Sequence, residues 1–143
     1  MTRPVFEART DDEVRALFPV VVQLRQHLTG PEDLATRVSG MRAGGFRLVW
    51  TADEAGVPVA VAGFRVYETL YAGLKLYVDD LVTTEARRGK GDGTVLMAWL
   101  VAEARRLGCS ELDLDSGVQR AGAHAFYFAR GMHVSSFHFR LKV

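Results

Sequence analysis

Between residues 85 and 94 the chain reads EARRGKGDGT, and its hydrophobic rhythm differs on the two sides of this segment. Upstream, Leu74 to Thr83 has the character of a strand. Downstream, Val95, Leu96, Trp99, Leu100, Ala104 and Leu107 recur at helical spacing and stop at Gly108, a C-terminal cap. A basic, glycine-rich turn from strand to helix has few structural solutions. Glycine lets the backbone bend tightly and lets its N–H groups approach a ligand without Cβ interference. Those groups and the positive end of the helix dipole form a site for a pyrophosphate, and Arg88 and Lys90 add charge for its oxygens.

Three glycine motifs bind phosphates in such a place. A P-loop needs GxxxxGK[ST], but no Ser or Thr follows Lys90 and two glycines come after it. A dinucleotide fingerprint needs GxGxxG after the first strand; counted from Gly89 its third glycine is Thr94, and counted from Gly91 it is Leu96. The pattern Arg-x-x-Gly-x-Gly fits at Arg88, Gly91 and Gly93.

The rest of the chain builds a frame for this turn. Residues 3–8 read as a short strand, and Thr10 with Glu13 forms a capping box. Val14, Leu17, Phe18, Val21, Leu24 and Leu28 fall on one helical stripe, which Pro19 breaks near Phe18. Gly30-Pro31 ends the run and opens a second helix over about 31–42. Phe46, Leu48 and Trp50 alternate with Arg47 and Val49, a turn follows at Asp53 to Gly56, and Pro58 to Glu68 suits a central strand. A turn near Tyr71-Ala72-Gly73 leads into Leu74 to Thr83. Glu111 to Asp115 reads as a strand and Arg120 to Arg130 as a helix ending at Gly131. In the tail Phe137, Phe139, Leu141 and Val143 alternate with His138, Arg140 and Lys142, which predicts a last strand. The order predicts an α/β or α+β sandwich around a mixed sheet, with residues 1–143 as a single domain.

Composition narrows the function. With 143 residues and 48% apolar content the chain can bury a core without a disulfide or metal staple. Lys+Arg 18 against Asp+Glu 17 leaves +1, a balance that argues against nucleic-acid or membrane-surface partners. No apolar run approaches the ~18 residues of a membrane span, and the start MTRPVFEARTDDE has no signal-peptide hydrophobic region, so the expected location is cytoplasmic. Cys109 has no partner and reads as a small core residue; Trp50, Trp99, Phe137 and Phe139 are also read as core. His27, His124, His133 and His138 lack ligand spacing, so no metal is expected.

The stretch YVDDLVTTEARRGKGDGTVLMAWL resembles the coenzyme-A-binding motif of the GCN5-related N-acetyltransferase (GNAT) superfamily. RAGAHAFYFARGM is similar to that superfamily's second signature, with Ala123, Tyr127 and Gly131-Met132 in its places, and the order of elements looks like its fold across essentially the whole chain. The resemblance implies a mostly antiparallel central sheet flanked by helices. It implies an acetyl-CoA-dependent N-acetyltransferase acting on a primary amine of a small molecule, by direct transfer in a ternary complex. Acetyl-CoA would be the cosubstrate. Leu81, Val82 and Thr83 would face the pantetheine arm, with the Leu81 N–H polarising the thioester carbonyl. Arg88, Gly89, Lys90, Gly91, Asp92, Gly93 and Thr94 would line the pyrophosphate, and Arg120, where the family often has Asn, would hold a coenzyme phosphate. Asp92 stands where an apolar residue is usual and is expected to point into solvent or cap the helix.

Tyr127 would protonate the departing thiolate. The base would be Asp79 or Asp80, with His124 as a third candidate. The aspartate pair resembles the Glu-Asp of polyamine acetyltransferases, whose acid falls on Asp79, acting directly or through a water. Successive strand residues point to opposite faces, so one of the two faces the cleft unless a bulge intervenes. The family's acceptor site would involve Arg25, His27, Glu32, Asp33 and residues 132–138. The acids Glu32, Asp33, Asp79 and Asp80 would suit a cationic, polyamine-like amine or another small amine. Dimerisation through the late strands is also implied. The rival reading is a non-catalytic coenzyme-A-binding regulatory module.

Overall fold

The computed structural model describes residues 3–143. The chain forms two compact units, one running through Asp113 and the other Leu114–Val143. In chain order the elements are β1 (Phe6–Glu7), α1 (Asp11–Ala16), α2 (Phe18–Val21), α3 (Pro31–Met41), β2 (Arg47–Ala52), β3 (Pro58–Thr69), β4 (Gly73–Thr83), α4 (Asp92–Leu107), β5 (Glu111–Leu114) and α5 (Ala121–Ala129), with 3-10 turns at Arg42–Gly44 and Glu85–Arg87. The strands lie in sequence order, β1-β2-β3-β4-β5, and the first three pairings are antiparallel. This is the mixed α/β architecture that the element order predicts, with the mostly antiparallel sheet that the resemblance implies.

Local chemistry explains the boundaries. Thr10 Oγ1 accepts from the Glu13 amide at 3.1 Å, and Glu13 Oε1 accepts from the Thr10 amide at 3.1 Å, so two amides at the start of α1 are satisfied reciprocally. The long apolar stripe is split at Leu17, because Pro19 is tolerated only in the first turn of a new helix. α4 is bounded by two left-handed glycines, Gly91 and Gly108.

Helices cover both faces of the sheet. On one face Val14, Leu17, Val21, Leu34 and Val38 bury against Phe46, Leu48, Val61 and Val82. On the other, α4 packs over β3 and β4, and the Phe64 and Trp99 rings meet edge to face at 5.9 Å. Burial of Val14, Leu17, Leu34 and Leu100 removes the apolar area that holds such layers together, about 25 cal/mol per Å².

The tail departs from expectation. Residues 133–143 contain no strand, and Phe137, Phe139, Leu141 and Val143 are each at least 85% exposed, so this stripe is surface and not core. Alternation supplies the side-chain pattern of a strand, but a strand also needs a neighbour for its N–H and C=O groups.

Candidate active site

The pairing of β3 with β4 slips by one residue beside the aspartate pair. Gly63 stands opposite Asp80 and Phe64 opposite Val78, so Asp79 is the extra residue of a bulge. The register then puts Asp80 on the same face as Gly63, and with Arg65 and Tyr77 farther along the hairpin. The bulge thus removes the strict choice between the two aspartates that unbroken alternation would impose.

The two carboxylates have different surroundings. Both Asp79 oxygens accept from Arg65, at 2.9 Å from Nε and 2.8 Å from Nη2. Asp80 Oδ1 accepts from Arg25 Nε at 2.7 Å, while Arg25 Nη2 donates to the Asp79 carbonyl at 2.8 Å. Asp80 Oδ2 lies over Gly63: a Cβ built there would sit 2.6 Å from it and 2.6 Å from the Phe46 ring. Burial raises the Asp80 carboxyl above the ordinary carboxylate range, against the hydrogen bond and charge of Arg25. Arg65 and Gly63 were not singled out in the sequence. Folding the hairpin about Tyr71 places Arg65 opposite Tyr77 and so near Asp79, the one signal that points to it.

β4 leads straight into the glycine turn. Gly89 and Gly91 are left-handed, with φ of 79° and 87°, and α4 makes its first backbone bond from the Val95 amide to Gly91 O at 3.1 Å. The amides of Asp92 and Gly93 precede that bond, as the orphan donors of a helix start. Arg88 and Lys90 are exposed, and among the described residues neither forms an ion pair.

Asp92 departs from expectation. It is 1% exposed and turned inward, where it pairs with Arg3 and with Arg87 at 3.3 Å. It provides no side-chain cap for α4. Two arginines neutralise it, so its charge does not oppose a phosphate at the turn. The turn therefore fits an anion: two left-handed glycines, two exposed cations and an acid held inward.

The second unit carries Tyr127, His124 and Arg120. Tyr127 is half-buried on α5, its ring 5.6 Å from Phe126; burial raises its phenol above the ordinary value, opposed by the Arg120 charge. His124 Nε2 is 2.8 Å from the Gly117 carbonyl, which leaves that nitrogen engaged in a donor role. Arg120 is exposed at the N-cap of α5.

Residues 12–132 match the family model described as "Acetyltransferase (GNAT) family". The chain belongs to that family. It is similar to an uncharacterised N-acetyltransferase, YhdJ, of Bacillus subtilis, at 36% identity over 85 residues, 59% of this chain and 60% of that protein. It is also similar to an aminoalkylphosphonate N-acetyltransferase of Salmonella typhimurium, at 36% identity over 62 residues, 43% of this chain and 40% of that protein. The matched stretches thus span less than two thirds of either relative's length. In fold the GNAT chain is similar to an aminoglycoside N-acetyltransferase, AAC(6')-Iy, solved in complex with coenzyme A, with a TM-score of 0.82, 12% identity and coverage of 100% of this chain and 97% of that one. Among the described residues no helix is long and apolar enough to cross a membrane.

Proposed function

We propose that this GNAT chain is an acetyl-CoA-dependent N-acetyltransferase acting by direct transfer on a primary amine of a small molecule in the cytoplasm, with residues 1–143 as a single N-acetyltransferase domain. The observation that carries the reading is the path of β4: a bulged aspartate pair lies a few residues before a glycine turn whose cations, Arg88 and Lys90, are exposed. One relative is named for aminoalkylphosphonates, and a neighbour in fold was solved with coenzyme A.

Acetyl-CoA supplies the acetyl thioester. Backbone amides from Arg88 to Gly93, with Thr94, hold the pyrophosphate, and Arg120 holds a further phosphate. Leu81, Val82 and Thr83 run beside the pantetheine, and the Leu81 N–H polarises the thioester carbonyl. The amine nitrogen bonds to the carbonyl carbon and the carbon–sulfur bond breaks. Asp80, directly or through a water, takes the amine proton, and Tyr127 gives a proton to the thiolate. Asp80 is preferred to Asp79 because Arg65 occupies both Asp79 oxygens, while burial raises the Asp80 carboxyl above the ordinary carboxylate range. His124 stays the third candidate: its Nε2 donates to the Gly117 carbonyl, which leaves Nδ1 as the acceptor. Dimerisation belongs to this reading too, supported by the exposed apolar tail.

Thiol release from acetyl-CoA across a broad amine panel tests the proposal. Tyr127→Phe is expected to lower turnover by roughly 10²–10⁴-fold. An unchanged rate removes Tyr127 from the mechanism. Coenzyme A binding without thiol release for any amine favours the regulatory module instead.

A further inference from the structure

Each acid that would recommend a polycationic acceptor has an arginine partner. Glu32 pairs with Arg15 at 2.5 Å, Asp33 with Arg37 at 2.9 Å, Asp79 with Arg65 at 2.8 Å and Asp80 with Arg25 at 2.7 Å. Beside the aspartate pair it is the cations that face solvent. The Arg25 and Arg65 side chains are 42% and 40% exposed, against 17% and 21% for Asp80 and Asp79.

The two guanidiniums flank one dipeptide and keep donors to offer. Arg25 uses Nε and Nη2 on Asp80 and the Asp79 carbonyl; Arg65 uses Nε and Nη2 on the Asp79 carboxylate. A guanidinium has five N–H donors, so each retains its Nη1 pair. Arg65 is held further by the rings of Tyr67 and Tyr77, 5.7 and 5.5 Å from its central carbon. A fixed, planar, half-exposed fork suits an oxyanion and repels an ammonium. The register places Arg65 on the face that carries Asp80.

We propose that the acceptor is an amine bearing an anionic group, a carboxylate, phosphate or phosphonate, which Arg25 and Arg65 hold while its nitrogen faces Asp80. This rests on the acetyl-transfer reading above. It replaces the polyamine-like acceptor, whose second ammonium would approach two guanidiniums.

The test uses the full chain, saturating acetyl-CoA and amines matched except for the anion: ethylamine against β-alanine, 2-aminoethylphosphonate and O-phosphoethanolamine, with putrescine and spermidine as the cationic arm. The expected result is at least tenfold higher kcat/KM for one or more anion-bearing members than for ethylamine. Arg65→Gln should collapse that ratio toward one through KM, and Arg65→Lys, which keeps the charge but not the fork, should fall between. The ratio among the three anions identifies the group. Thiol release with ethylamine or the polyamines at equal or higher kcat/KM overturns this inference and leaves acetyl transfer standing. If no amine releases thiol, the acetyl-transfer reading falls, and calorimetric titration of the anionic amines into the chain with coenzyme A decides the site separately. Heat that Arg65→Gln abolishes supports it, and absence of heat overturns it.

Discussion

Asp80 sits where strand pairing slips, and its environment makes a pH signature predictable. Burial disfavours the carboxylate, so the acidic limb of kcat/KM should lie above the ordinary aspartate range, with activity rising as pH rises through it. Asp80→Asn should remove that limb and lower kcat/KM by roughly 10²–10⁴-fold; a limb that survives the substitution excludes Asp80 as the base. The same burial acts oppositely on stability. A carboxyl whose folded pKa is raised binds its proton more tightly in the folded state, so its contribution is present below the unfolded value and is lost as pH rises through the folded one. Gly63 makes this seat possible. Gly63→Ala forces a Cβ to within 2.6 Å of both Asp80 Oδ2 and the Phe46 ring, so it should cost about 1–3 kcal/mol, read from the urea midpoint. The Asp79-Asp80 pair is legible in the sequence. Which of them is tied down is not, because Arg65 is 14 residues away and Arg25 is 55 from Asp80.

At the scale of elements, helix α4 is pinned to the sheet by one buried carboxylate. Glu103 accepts from Arg106 on its own helix at 2.7 Å and pairs with Arg47 of β2 at 2.7 Å. Hydrogen bonds from Arg106 and then Arg47 pull its pKa down to about 2 against the opposing effect of burial. Its stabilisation is therefore present above the ordinary 4.5 and is lost as pH falls toward about 2. Glu103→Gln should cost roughly 1–3 kcal/mol at pH 7, and urea midpoints should show wild type and variant converging on acidification; a constant gap refutes the assignment. Helix ends were legible because caps and prolines act within a turn of chain, as Thr10, Pro19 and Gly108 show. The tail departs from its pattern for the complementary reason: alternation at Phe137, Phe139 and Leu141 is local, but a strand's partner is not.

Across the whole molecule, ligand linkage separates the functional classes. Coenzyme A at 100 times its Kd should raise folded-state stability by about 2.7 kcal/mol. Thermal unfolding of wild type and of an Arg88→Ala, Lys90→Ala double variant measures this; the variant should lose most of the gain, and an equal gain in both moves the phosphate site elsewhere. From sequence alone came the periodic elements, their caps, and a glycine turn carrying two cations. All of these depend on spacing within a few residues and on the left-handed backbone that Gly89 and Gly91 allow. Tertiary structure decided where the charges go. Asp92, expected near solvent, is neutralised by Arg87 and by Arg3, 89 residues away, and the acids near the proposed amine site meet arginines from other elements. Net charge and motif spacing are sums along the chain, whereas a site's electrostatics depends on which opposite charges the fold brings within about 3 Å.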